Sequence, residues 1–115
     1  MMAFIKLDTE TQARMADHLP MRAAGLRTAY RDATAELLAV DPADTAGVLA
    51  AIKTLRDEQD ELQSLWDRDA ALLIASGLEP DRVCAALGTG RTALQQRIMR
   101  NPQLERERFL VKGES

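Results

Sequence analysis

Apolar residues recur along this chain at intervals of three and four, in stretches separated by proline, glycine and aspartate. That spacing is the signature of amphipathic helices, and nowhere is there the strict alternation that marks a half-buried strand. Asp8 or Thr9 can cap a first helix running toward Leu19, with Met15 and Leu19 on one face. Pro20 suits a first turn and no later one, so a bend falls near His18 to Pro20 and a second helix spans about Met21 to Ala39. Leu26, Tyr30, Ala33, Leu37 and Val40 form its apolar seam. Asp41 as cap and Pro42 at the first helical position then open the longest helix. Val48, Ile52, Leu55, Gln59, Leu62, Trp66, Asp69 and Leu73 step along it in alternating fours and threes, a heptad interrupted by Gln59 and Asp69. The short connection at Asp41 predicts an antiparallel hairpin within the chain. Its seam is Ile52, Leu55, Gln59, Leu62 and Trp66, which serves the hairpin or a second copy of the chain.

The last third is organised differently. Asp81 to Leu87 and Arg91 to Arg100 read as two short helices joined by Gly88-Thr89-Gly90. Val83 and Leu87 stack on one side of the first, and Leu94 and Ile98 on one side of the second. Helices this short cannot bury their stripes alone and must cross at a steep angle, with the small Cys84 allowing close approach. Gly77-Leu78-Glu79, Val83-Cys84 and Leu87-Gly88-Thr89-Gly90-Arg91-Thr92-Ala93-Leu94 resemble the helix-turn-helix motif of resolvase-like DNA-binding domains and of small bacterial and phage regulators. Cys84 stands where that pattern has alanine, Thr89 where it has an apolar turn residue, and Gly90 where it has a serine cap. Asn101-Pro102 ends the second short helix. The fold expected is therefore all-α: a long antiparallel helical hairpin over residues 1–76, the helix-turn-helix over 77–101 and a C-terminal tail over 102–115, within a single domain. In the tail, Phe109, Leu110 and Val111 form a small apolar group able to dock on the body or to exchange between subunits.

The resemblance implies that the second motif helix reads DNA. With Leu94 and Ile98 inward, the expected base-contacting residues are Arg91, Thr92, Gln95, Gln96 and Met99. Glutamine can bond an adenine edge in two places, arginine a guanine edge, and the threonine methyl can meet that of thymine. Arg82, Arg97 and Arg100 flank them and suit phosphates, which fix position without reading sequence.

Charge both supports and bounds this picture. The net charge is −3, so bulk attraction to nucleic acid is absent, yet Arg82 to Leu104 contains four arginines and no acid. Four cations give one copy modest phosphate-derived affinity, which calls for a homodimer on double-stranded DNA. Acids concentrate instead between Arg56 and Asp69, a surface that is either a solvated helix face or a dock for a basic protein partner. At 115 residues with 46% apolar and only 3% aromatic content, the chain suits one small helical core.

No stretch approaches the ~20 apolar residues of a membrane span, and one cysteine forms no internal disulfide, so a soluble cytoplasmic protein is expected. His18 and Cys84 are the single histidine and cysteine, far apart in sequence, and no metal-ligand spacing or phosphate-cradling loop occurs. Neither an enzyme nor a cofactor is expected. A sequence-specific DNA-binding regulator is the leading reading. The alternatives are a helical adaptor whose motif is merely core, and a phage packaging or recombination accessory factor.

Overall fold

A computed structural model describes residues 3–102, 104, 111 and 112. The fold is all-α. Its helices are α1 (Thr9–Ala16), α2 (Leu19–Ala39), α3 (Thr45–Ala75), α4 (Pro80–Leu87) and α5 (Arg91–Arg100). A two-residue strand β1 (Ala3–Phe4) pairs antiparallel with β2 (Val111–Lys112), Ala3 opposite Lys112 and Phe4 opposite Val111. This short ladder was not expected from the sequence, since two residues carry no alternation to read. Phe109 and Leu110 lie outside the described residues.

The helix starts follow local chemistry. Asp8 caps α1, accepting a 2.7 Å hydrogen bond from the Thr11 amide, and that bond holds its carboxyl below the usual aspartate range. α1 stops at Ala16, short of Leu19, because Leu19 and Pro20 already belong to the first turn of α2. The cap of α3 also differs from expectation. Asp41 accepts from the Ala43 amide at 2.9 Å and so folds a turn around Pro42, while Asp44 caps α3 by accepting from Gly47 at 3.0 Å. Pro42 is thus a turn residue rather than the first residue of the helix.

α2 and α3 pack side by side with opposite directions, since Glu36 accepts a hydrogen bond from the Thr54 hydroxyl near the connection while Tyr30 stacks on Trp66 further from it. The two rings lie 6.2 Å apart and nearly parallel, an arrangement that adds to the gain from burial. Partial burial of the Tyr30 phenol disfavours its ionised form and raises its pKa.

The seam between the helices is displaced from the expected one. Ala51 and Leu62 are buried, and Leu55 and Trp66 half-buried, but Ile52 is 52% exposed and Gln59 is exposed. A heptad counts 3.5 residues per turn, whereas a straight helix has 3.6, so the strict seven-residue pattern drifts off the contact line. The small side chains Ala33 and Ala51, both buried, occupy that line.

α3, about 46 Å long at 1.5 Å per residue, gives the molecule its 54 Å long axis. Its second half lies in the main core: Ala70, Ala71, Ile74 and Ala75 meet Val83 and Cys84 of α4, Leu94 and Ile98 of α5, and Leu104. Phe4, Leu7, Met15 and Leu78 close this core from the N-terminal side. The first half of α3 extends beyond it, with α2 alongside. No helix among the described residues is long and apolar enough to cross a membrane.

Candidate nucleic-acid interface

α3 and α4 end in the same way. At each end the chain passes through a left-handed glycine, Gly77 at φ 110° and Gly88 at φ 64°. Leu78 donates to the Leu73 carbonyl at 3.0 Å, and Thr89 to that of Cys84 at 3.0 Å, which satisfies carbonyls that the helix ends would otherwise leave open. Gly90 then turns extended, at φ −84° and ψ 163°, and its carbonyl takes the first α5 hydrogen bond from Leu94. The three-residue turn is therefore tight. A Cβ at Gly88 would meet nothing within 4 Å, so Gly88→Ala pays only for the left-handed backbone. It should lower stability by about 1 to 2 kcal/mol in a urea titration.

The turn and α5 are fastened to α3 by polar contacts. Arg97 grips Asp67 with two hydrogen bonds, Nε to Oδ2 at 3.1 Å and Nη2 to Oδ1 at 3.0 Å. Its remaining nitrogen donates to the Thr89 hydroxyl at 3.4 Å. Asn101, just past α5, donates to the Ser64 carbonyl at 2.7 Å. Arg97 thus joins α3, the turn and α5, and its fork matches the carboxylate in the bidentate manner that suits arginine best. The Thr89 hydroxyl, expected to need a partner, has one here.

These contacts revise the expected roles. Arg97 is not a free phosphate contact, because both its inner nitrogens are committed to a buried carboxylate. Gln95 is 3% exposed and faces the body, where it makes its own contacts, so it does not stand on the outward face. The spacing held this information: Gln95 lies only about 80° around the helix from the midline of Leu94 and Ile98, whereas Gln96 lies about 180° away. Arg91 is solvent-accessible, but its guanidinium sits over the Phe4 ring, 5.7 Å from the centroid, and 3.4 Å from Asp81. It braces α5 against β1 and α4. Thr92, Gln96, Met99 and Arg100 are exposed as expected, joined by Ala93, and Arg82 is exposed on α4.

Comparison with family models, with curated proteins and with solved structures yields no match. The reading therefore rests on this chain alone.

The outward surface of α5 is a strip of Thr92, Gln96 and Met99, flanked by Ala93 and Arg100. Gly90 brings no side chain to the start of α5, which leaves that end accessible. Alongside runs a polar cleft of about 810 Å³ between α3 and α5, whose walls include Gln63, Ser64, Gln96 and Arg100. Asp60 and Asp67 also line it, so its floor is a poor place for a phosphate. A duplex would have to lie across the outer strip, clear of that floor. The acidic stretch from Arg56 to Asp69 divides in the same way: Asp57, Glu58, Asp60 and Glu61 are exposed, while Asp67 is buried and Asp69 is half-buried beside Arg68. Among the described residues, no group of three or more His, Cys, Asp or Glu side chains could hold a metal ion.

Proposed function

We propose that this protein is a small sequence-specific DNA-binding regulator that acts as a homodimer, with α5 entering the major groove. The observation that carries this reading is the division of α5 into two faces. One is pinned by Leu94, Ile98, Gln95 and the Arg97 grip on Asp67, and the other presents Thr92, Gln96 and Met99 to solvent. A helix fixed on one side and chemically varied on the other is what base recognition requires, because base edges are read only by side chains held in place.

Gln96 is the principal reader, able to bond an adenine edge in two places, and the methyl groups of Thr92 and Ala93 suit a thymine methyl. Arg82 and Arg100 would meet phosphates on either side. With two such cations per copy, non-specific affinity is low and its salt dependence shallow, so two copies on a two-fold symmetric site are needed for useful occupancy.

Gln96→Ala should weaken binding to the preferred site by about 1 to 3 kcal/mol while leaving helix content and unfolding midpoint unchanged. Fluorescence anisotropy on a labelled duplex, together with circular dichroism, measures both. Equal affinity of variant and parent would contradict the assignment.

A further inference from the structure

A cavity of about 190 Å³ lies between residues 4–7, α1, the end of α3 and the starts of α4 and α5. Phe4, Leu7, Ile74 and Leu78 give it apolar walls, and each belongs to the main core or packs against it, so the walls are held in place. Gln12 adds a polar group. Its Nε2 donates to the Leu7 carbonyl at 3.0 Å, which ties the lead-in to α1. Its Oε1 lies beside Gly77, 3.0 Å from where a Cβ on that residue would stand, and accepts no hydrogen bond among the described residues. Gly77 thus ends α3 in a left-handed turn and also leaves room for this amide.

The charges around the cavity select its occupant. Lys6 and Arg91 line it as cations and Glu79 as the acid, which leaves a positive balance. Lys6 is exposed and has no hydrogen bond or ion pair among the described residues. Arg91 leans on the Phe4 ring and stands 3.4 Å from Asp81, but those two side chains are 51% and 77% exposed, and a pair so exposed holds weakly. Both cations can therefore turn to a carboxylate. The space suits a compact hydrocarbon, since an engineered apolar cavity of about 150 Å³ takes up benzene.

We propose that this cavity binds a small apolar carboxylate, with its hydrocarbon between Phe4, Leu7, Ile74 and Leu78 and its charge on Lys6 and Arg91. Two sources share that chemistry, a short branched-chain acid and an apolar α-amino acid. In an amino acid the ammonium group meets Gln12 Oε1 and Glu79. None of Thr92, Gln96 and Met99 lines the cavity, so the proposal goes beyond the DNA reading and is tested without DNA.

Isothermal titration calorimetry of the full chain with 4-methylpentanoate, leucine, 4-methylpentanamide and acetate tests this. At least one of the first two should bind at millimolar concentration or below. The amide keeps the shape without the charge, and acetate keeps the charge without the hydrocarbon, so each should bind at least about tenfold more weakly. Tighter binding of leucine supports an amino acid as the occupant, and tighter binding of 4-methylpentanoate supports a plain acid. Lys6→Gln should weaken the tighter ligand by about tenfold while keeping the parent's circular dichroism and unfolding midpoint, because Lys6 is exposed. Saturation with that ligand should move the amide NMR signals of Phe4, Lys6, Gly77 and Arg91. No binding of either carboxylate, equal binding of the neutral amide, or full affinity in Lys6→Gln would overturn the proposal. So would signal changes confined to residues away from the cavity.

Discussion

Arg97→Ala should lower the unfolding free energy by about 3 kcal/mol and Asp67→Ala by only about 1 to 2 kcal/mol, because removing one partner of a buried ion pair costs most when the charge left behind cannot reach water. Asp67 is 3% exposed on the floor of the cleft between α3 and α5, so without Arg97 its carboxylate stays buried and has lost the cation that offsets its charge. The Arg97 side chain is 32% exposed, and without Asp67 it can swing its head into solvent along its flexible stem. The asymmetry is therefore part of the expectation, and urea titrations of the two variants read it directly. Replacing both residues with leucine should recover much of the loss, as apolar substitutes for a buried pair commonly do. An Arg97→Ala protein with the parent's unfolding midpoint and weakened DNA binding would instead return Arg97 to the phosphate role expected from the sequence.

Leu94→Ala should cost about 3 kcal/mol, within the range for truncating a fully buried leucine. Leu94 is completely buried where α3, α4 and α5 meet, in one cluster with Cys84, Ile98 and Ala71. Its loss opens a cavity in the cluster where the short helices meet α3. Neither α4 nor α5 is long enough to persist unsupported. For a chain of this size the melting temperature should fall by about 10 °C or more. Met99→Ala, on the exposed side of the same helix, should shift stability by less than about 0.5 kcal/mol. Differential scanning calorimetry of the two variants separates the faces of α5, and equal losses would contradict the division on which the functional reading stands.

Punctuation by proline, glycine and aspartate was legible in the sequence. Pro20, Asp41-Pro42, Gly88 and Asn101-Pro102 mark boundaries that the structure keeps within a few residues, because each acts through its own backbone or a neighbour's amide. What could not be read depends on partners distant in the chain. Asp67 looks like one more solvated acid among Asp57, Glu58, Asp60 and Glu61, and only the arrival of Arg97 thirty residues later turns it into a buried anchor. Ile52 fits a heptad, yet Ala51 is the buried residue and Ile52 is 52% exposed, because at 3.6 residues per turn the seven-residue pattern drifts off the contact line. Gln95 is the intermediate case. It is expected outward with Gln96, but at about 80° from the midline of Leu94 and Ile98 it stands at the edge of the inner stripe, and the structure buries it. Of the expected DNA-facing set, Thr92, Gln96, Met99, Arg82 and Arg100 are exposed to solvent, while Gln95 and Arg97 pack α5 against the body and Arg91 braces it.

Selection of bound duplexes from a random pool, performed with the parent and with Gln96→Ala at two salt concentrations, tests the central claim most directly. The parent should enrich a short inverted repeat at both salt concentrations, and Gln96→Ala should lose preference at the position in each half-site that Gln96 reads. No enrichment by the parent, or one identical repeat enriched with equal strength by both proteins, would contradict the assignment of α5 as the reading helix.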